Sequence, residues 1–472
     1  MRATFRLRVP RLGFGRRTLA LFAAATLIAA CAGVVVDGNG DRDGKHKKTA
    51  SGLSFEKRTV VETSPVASAV AGFDSERVWS GFDDWEPAIA ADTSSSWVYQ
   101  MTTRYNGPKA CPGCPFPVIV FRASSDGGAT WGADRFLAIS KKPQNDPMVE
   151  VATDGTVYAA WLDDYDPGVK FLKSSNHGAT WTTPIGFSGR KKTPTFSDRP
   201  VLAISPDGRD VYLAFNASDS YVAASHDFGA TFGPNRKTNN DTRYWFQTGG
   251  AVAPNGDALF VTADFSQDYS GDAFISVLRS TDGGASWTTT RMDTSREQPD
   301  CPWAAGCYFG FLGSSAALAV DIAGNVMVAY SASDTPGGPQ HVYARSSTNG
   351  GTNWSARTLL SAAGAVNGNF PALAAGPTAG DFRVAFQDDR NGSPTAWNTW
   401  YRRTQNSGNT WSAAVRLSDL GTGAPYKAAA GYRFPYGDYF ELAVDSSGMN
   451  HFIWGEGISF TGPGGIWYTR GN

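Results

Sequence analysis

Acidic side chains crowd the two kinds of position that flank the apolar strands of this 472-residue chain. Just ahead of strands stand Asp84, Glu86, Asp146, Asp198 and Asp438, with Arg199 and Tyr439 beside them. Just after strands stand Asp163, Asp164, Asp264, Asp334, Asp388, Asp389 and Glu456, with Arg104 and Arg390. Trp85, Tyr105, Tyr165, Trp245, Tyr308 and Tyr436 lie near them in the sequence. Carboxyls can act as general acid, general base or nucleophile, and flat rings stack on sugar faces, so the mixture suits a carbohydrate site. Taken one at a time, the same residues are ordinary loop chemistry, because Asp favours turns. Other chemistry is poorly provided for. The five histidines are scattered with no His-Glu-x-x-His, no glycine-rich phosphate loop follows a strand, and no Gly-x-Ser-x-Gly occurs. Paired acids such as Asp163-Asp164 and Asp388-Asp389 leave calcium as the one candidate ion, and no cofactor is otherwise expected.

A repeat must position these residues. Ser124 to Trp131 reads SSDGGATW, and the pattern returns as SSNHGATW from Ser174, SHDFGATF from Ser225 and STDGGASW from Ser280. It returns again as STNGGTNW from Ser347 and TQNSGNTW from Thr404. Asp or Asn at the third place can bond backbone N–H groups further on, Gly at the fifth supplies a positive φ, and the closing ring plugs the turn. Each copy ends a longer unit that begins with an apolar strand, such as Glu86-Pro87-Ala88-Ile89 or Arg199-Pro200-Val201-Leu202. Turn dipeptides follow at Asp154-Gly155, Asp207-Gly208, Asn255-Gly256, Ala323-Gly324 and Ser447-Gly448, ahead of a second strand.

The eight-residue pattern is similar to the Asp box, or bacterial neuraminidase repeat, and from about Asp83 onward the chain resembles the sialidase superfamily of β-propellers. The resemblance implies an all-β fold of four-stranded antiparallel blades, with each box joining the third and fourth strands. Counting first strands gives seven blades rather than the six of familiar sialidases, with six as the alternative. The seventh unit lacks a fourth strand. A strand from the N-terminal side, expected at Glu56–Glu62, would close the ring and hide the sheet edge. Strand order sends the boxes to one face and the acidic positions to the other, so the boxes are expected to be structural.

Sialidases hold a substrate carboxylate with three arginines, attack with a tyrosine activated by a glutamate, and use an aspartate as acid/base. At the first arginine's place this chain has Glu86, in Asp84-Trp85-Glu86-Pro87. Arg199, in Asp198-Arg199-Pro200, has the right local form but lies in the third unit. By similarity of Tyr436-Gly437-Asp438-Tyr439 to the family's tyrosine motif, Tyr436 is the candidate nucleophile. The expected catalytic group is therefore Glu86, Tyr436, Asp438 and Asp146. The expected binding group is Arg199, Arg104, Arg390, Asp163, Asp264, Asp388, Trp85, Tyr439 and Glu456. The function implied is a sialidase-like glycoside hydrolase with an incomplete arginine triad; a non-catalytic propeller that binds a glycan or protein is the alternative.

The N-terminus reads as an export signal: arginines to Arg17, then an apolar run from Leu19 to Ala30. Ile28-Ala29-Ala30-Cys31 resembles a lipoprotein cleavage site, with Cys31 the expected lipidated residue. The expected organisation is a signal peptide over 1–30, a polar tether over 31–54 and the propeller over 55–472. This implies a bacterial lipoprotein facing periplasm or cell exterior, or a secreted protein if Cys31 carries no lipid. Membrane contact is then only through the anchor. Four further cysteines, Cys111, Cys114, Cys301 and Cys307, are expected as two local disulfides, as suits an exported chain. Net charge is −1, and six arginines in the signal segment face no acid there, so the remainder is more acidic still. That excludes nucleic acid as a partner and leaves a glycan or glycoconjugate, bound by a monomer.

Overall fold

The computed structural model describes residues 70–164, 168–188, 197–217, 219–266, 270–300, 313–364, 366–393, 396–419, 423–425, 439–457 and 464–472. Seven antiparallel sheets stand in a ring, and the innermost strand of each touches the innermost strand of the next until the seventh meets the first. These inner strands are Asp84–Ala91, Gln144–Val151, Ser197–Ile204, Tyr244–Val252, Ala316–Val320, Gly368–Ala375 and Glu441–Val444. The all-β propeller and its seven blades are as the repeat count implied. In blade 1 the three strands are joined at the outer edge by a single bridge, Phe121 to Arg135. No helix of the described residues is long and apolar enough to cross a membrane.

Closure does pair the two ends of the chain, but through Arg77–Val78, which lines up with Tyr468 and Trp467. Glu56–Glu62 lies outside the described residues. Arg77 and Val78 stand only a few residues ahead of blade 1, so the chain passes from the seam into its first blade without a long loop. Phe73 bridges Gly471, and Asp74 holds Arg470 at 2.8 Å, which fixes the outer strand further.

Each box is built as its residues dictate. In blade 1 the Gly128 N–H donates to Ser124 Oγ at 2.8 Å, and Ser124 Oγ donates to Asp126 Oδ1 at 2.7 Å. Asp126 also accepts from the Thr130 N–H at 2.9 Å and the Thr130 hydroxyl at 2.6 Å, and these bonds hold its carboxyl down to about 2. The closing ring of each box reaches back to the preceding blade. Trp131 meets Tyr468 edge-on at 5.3 Å, Trp181 meets Phe121 at 5.2 Å, and Phe232 meets Phe171 at 5.0 Å. The box is thus both a turn and the plug of an inter-blade seam.

Register separates the two faces. Val98 pairs with Ala91 on one side and Ser124 on the other, so the box lies at the end carrying the first turn. The Gly127 N–H donates to Ser96 O of that turn at 2.8 Å. Arg104 pairs with Asp84 and Val118, so the acidic strand entrances lie at the opposite end.

Candidate functional site

Four inner strands begin with the same distortion. Glu86, Asp146, Arg199 and Phe370 have φ of 56°, 51°, 21° and 56°, and each stands directly before a proline. The register slips at the same places, between Trp85 and Ala88, Asn145 and Met148, and Asn369 and Ala372. Proline has no N–H to give and is tolerated here because the inner strand is a sheet edge. Non-glycine residues rarely adopt this conformation, and bulges re-aim side chains, so the distortion sets where these side chains go.

Three of the four re-aimed side chains meet. Glu86 Oε2 accepts the Asp146 N–H at 3.1 Å, and its Oε1 lies 3.4 Å from the Tyr105 hydroxyl. Tyr439 donates its hydroxyl to Asp146 Oδ1 at 3.2 Å, and the Arg199 guanidinium sits 3.7 Å above the Tyr439 ring. Asp198 accepts the Arg199 N–H at 2.9 Å and the Tyr244 hydroxyl at 2.5 Å. Burial pushes Asp198 up to about 6 against the pull of Tyr244, Arg199 and Asp146. Glu86, Asp146, Asp198, Arg199 and Tyr439 are all buried. Asp198 can therefore hold a proton at mildly acidic pH beside the Asp146 carboxyl, a pairing suited to proton donation and acceptance.

Below this cluster the inner strands enclose a channel of about 640 Å³. Arg199 and Tyr439 line its inner end, its walls are mainly Ala, Val, Leu and Ile, and three acidic residues, Glu150, Glu441 and Asp445, are among its lining. Glu441 Oε2 accepts the Ile89 N–H at 2.8 Å, satisfying a donor at the edge of the neighbouring inner strand. Burial pushes Glu150 up to about 8, with the Glu441 charge adding to it. Burial likewise pushes Glu441 up to about 8, opposed by the Ile89 N–H and by Arg199.

The other sequence-derived candidates stand apart from the cluster or lie outside the described residues. Arg104 is spoken for: its Nε lies 2.7 Å from Asp84 and its Nη1 2.6 Å from Asp134. Arg390 pairs with Asp388 and lies 4.0 Å over the Trp400 ring. Asp264 holds Arg243 at 2.6 Å, and burial pushes its carboxyl up to about 6. Trp85 has no exposed surface and donates its indole N–H to Asp83 at 2.8 Å, so it packs inside the ring. Asp163 lies 3.4 Å from the Gln144 amide, and Glu456 accepts the Trp454 indole N–H at 3.0 Å. Burial pushes Glu456 up to about 8. Cys111 and Cys114 form a disulfide with Cα atoms 5.2 Å apart. Tyr436, Asp438, Cys31, Cys301 and Cys307 lie outside the described residues.

Glu150, Glu441 and Tyr244 were missed by the sequence reading. The signal was available for the two glutamates: each is a lone charge inside an apolar inner strand, Met148-Val149-Glu150-Val151 and Phe440-Glu441-Leu442. No group of three or more His, Cys, Asp or Glu among the described residues is placed to hold a metal ion.

No protein-family model matches the chain, and no curated protein matches it. Among solved structures, a protein of unknown function from Dyadobacter fermentans is similar at TM-score 0.48 and 13% identity, over 85% of this chain and 99% of that one. An intramolecular trans-sialidase from Ruminococcus gnavus is similar at 0.44 and 13%, over 86% and 98%. An α-L-arabinanase from Penicillium chrysogenum is similar at 0.43 and 14%, over 64% and 88%. At these scores and identities the functional reading rests on this chain's own residues.

Proposed function

We propose that the chain is a sialidase-like glycoside hydrolase acting on glycans outside the cytoplasm. The observation that carries the reading is the meeting of Glu86, Asp146, Asp198, Arg199 and Tyr439 at the neck of the channel, where left-handed residues before prolines aim three of them inward. Asp198 is the proton donor in this reading, and Asp146, which accepts the Tyr439 hydroxyl, is the carboxyl hydrogen-bonded beside it. Tyr436 keeps the nucleophile role the family resemblance gives it, and Asp438 its place among the catalytic candidates, since both precede Tyr439 by a few residues in the sequence. The proposal includes export through the N-terminal signal, anchoring through a lipid on Cys31, action as a monomer, and chemistry without a cofactor, calcium being the one ion to test.

A panel of fluorogenic methylumbelliferyl glycosides tests this. Turnover of at least one member, lost in Glu86→Gln, Asp146→Asn and Tyr436→Phe and unchanged by a chelator, supports the assignment. No turnover across the panel sinks the hydrolase. A non-catalytic glycan- or protein-binding propeller is the second reading, favoured by one observation: Arg104 and Arg390 are taken up by Asp84, Asp134 and Asp388, which leaves a sialidase-type carboxylate grip incomplete. Clear binding on a glycan array with the ligand recovered unchanged would select it.

A further inference from the structure

Building on the glycosidase reading, we propose that the channel neck accepts an uncharged glycosyl unit and rejects sugars that carry a carboxylate.

The first argument is an account of the guanidinium groups. Arg104 divides its donors between Asp84 and Asp134, Arg390 is held by Asp388, and Arg243 by Asp264 and two backbone carbonyls. Each of these cations is neutralised within the protein and has few donors left for a ligand. Arg199 differs. It is 4% exposed and lines the channel, and its Nε and Nη1 have no hydrogen-bond partner. Yet its charge is already answered by the carboxyls of Asp198 and Asp146 beside it, with Glu86 and Glu441 close by. A ligand carboxylate would have to compete with Asp198 and Asp146 for the Arg199 guanidinium, at short range and low dielectric.

The second argument is the hydrogen-bonding capacity that is left over. Arg199 offers two buried donor nitrogens, and Thr248, 5% exposed and also lining the channel, has a hydroxyl with no partner. Glu150 and Glu441 present carboxyl oxygens to the same space. Buried polar groups left unpaired are unfavourable, so a ligand that satisfies them is strongly preferred over one that does not. Donors and acceptors together, spread through about 640 Å³, match the hydroxyl groups of one or two sugar rings, each of which both donates and accepts.

Calorimetric titration of the full chain with methyl glycosides of galactose, glucose, mannose and arabinose, and with N-acetylneuraminic and glucuronic acids, tests the proposal. At least one neutral glycoside should bind, and both acids should bind at least roughly tenfold more weakly. Arg199→Gln should weaken the neutral ligand, and Thr248→Val, which keeps shape and loses only the hydroxyl, should weaken it by roughly threefold to tenfold. An acid sugar bound as tightly as the best neutral one overturns the proposal, as does a panel in which no neutral glycoside binds. The fluorogenic panel separates this from the parent reading. Neutral sugars bound but never cleaved leave the specificity standing and remove the hydrolase, whereas cleavage of a sialoside keeps the hydrolase and removes the specificity.

Discussion

Glu150→Gln, alone and combined with Glu441→Gln, should make the protein resistant to alkaline unfolding. Both carboxyls are pushed up from 4.5 to about 8, chiefly by burial and, for Glu150, also by the charge of Glu441. Between those two pH values the folded state holds protons that the unfolded chain has released. Stability is therefore greatest below the unfolded value and is lost as pH climbs through about 8. The rise of either group sets a ceiling of about 5 kcal/mol at 1.36 kcal/mol per pH unit, and channel water screens this to about 2 kcal/mol. Gln keeps the shape and carries no charge, and at position 441 its carbonyl can still accept the Ile89 N–H. Urea unfolding followed by tryptophan fluorescence at about pH 5 and about pH 9 reads the effect. The single variant should match the parent at the lower pH and exceed it by about 2 kcal/mol at the higher. A difference between parent and variant that is the same at both pH values would refute the reasoning, because it would mean that Glu150 is not ionised against its surroundings.

Ser124→Ala removes the oxygen that accepts the Gly128 N–H inside the first box, and should destabilise by about 1–3 kcal/mol in urea unfolding while glycan affinity at the channel neck stays unchanged. At low pH the boxes should give way as Asp126 and Asp282, both held down to about 2 by hydrogen bonds from the boxes' own hydroxyls and N–H groups, take up protons. Their contribution is present above the ordinary carboxylate range and lost as pH falls toward about 2, so circular dichroism in an acid titration should show a midpoint that moves upward in Thr130→Val. Asp381→Asn leaves the buried Arg383 beside Arg403 without their shared carboxylate and should cost roughly 3–5 kcal/mol, read by the same denaturant assay. Cys31→Ala should abolish labelling by radioactive palmitate in a bacterial host and release the protein from the membrane fraction.

The ring was legible because its signals are local. Six boxes and the Asp-Gly and Asn-Gly turns each specify a piece of backbone from a few adjacent residues, and seven apolar first strands then count the blades. Closure by an N-terminal strand was legible, but not which residues supply it, because any short polar-apolar segment near the N-terminus fits an outer edge equally well. What chose Arg77–Val78 is its register against Trp467 and Tyr468, a contact nearly four hundred residues away in the chain. The candidate site was legible only as an overlong roll of rim residues. Type and position could not say that Arg104 would be consumed by Asp84 and Asp134, since Asp134 comes from a different part of the blade.

The feature that does sort the roll was present in the sequence as Glu86-Pro87, Asp146-Pro147, Arg199-Pro200 and Phe370-Pro371. In a regular edge strand successive side chains alternate between channel and blade interior, so a charged residue at the top of an inner strand has an even chance of facing either way. A proline that follows removes one N–H, and at these places the chain carries a bulge and a left-handed residue, a conformation that crowding by the proline does not itself favour. The twist is repeated at the same height in four blades, and in three of them the residue it turns is charged: Glu86, Asp146 and Arg199. A structural requirement alone would be met by any residue able to adopt that backbone, as Phe370 does in blade 6. That strained positions were filled by two carboxyls and a guanidinium, which then meet one another and Tyr439, is why the neck of the channel rather than the wider acidic rim is the place to look for bound sugar.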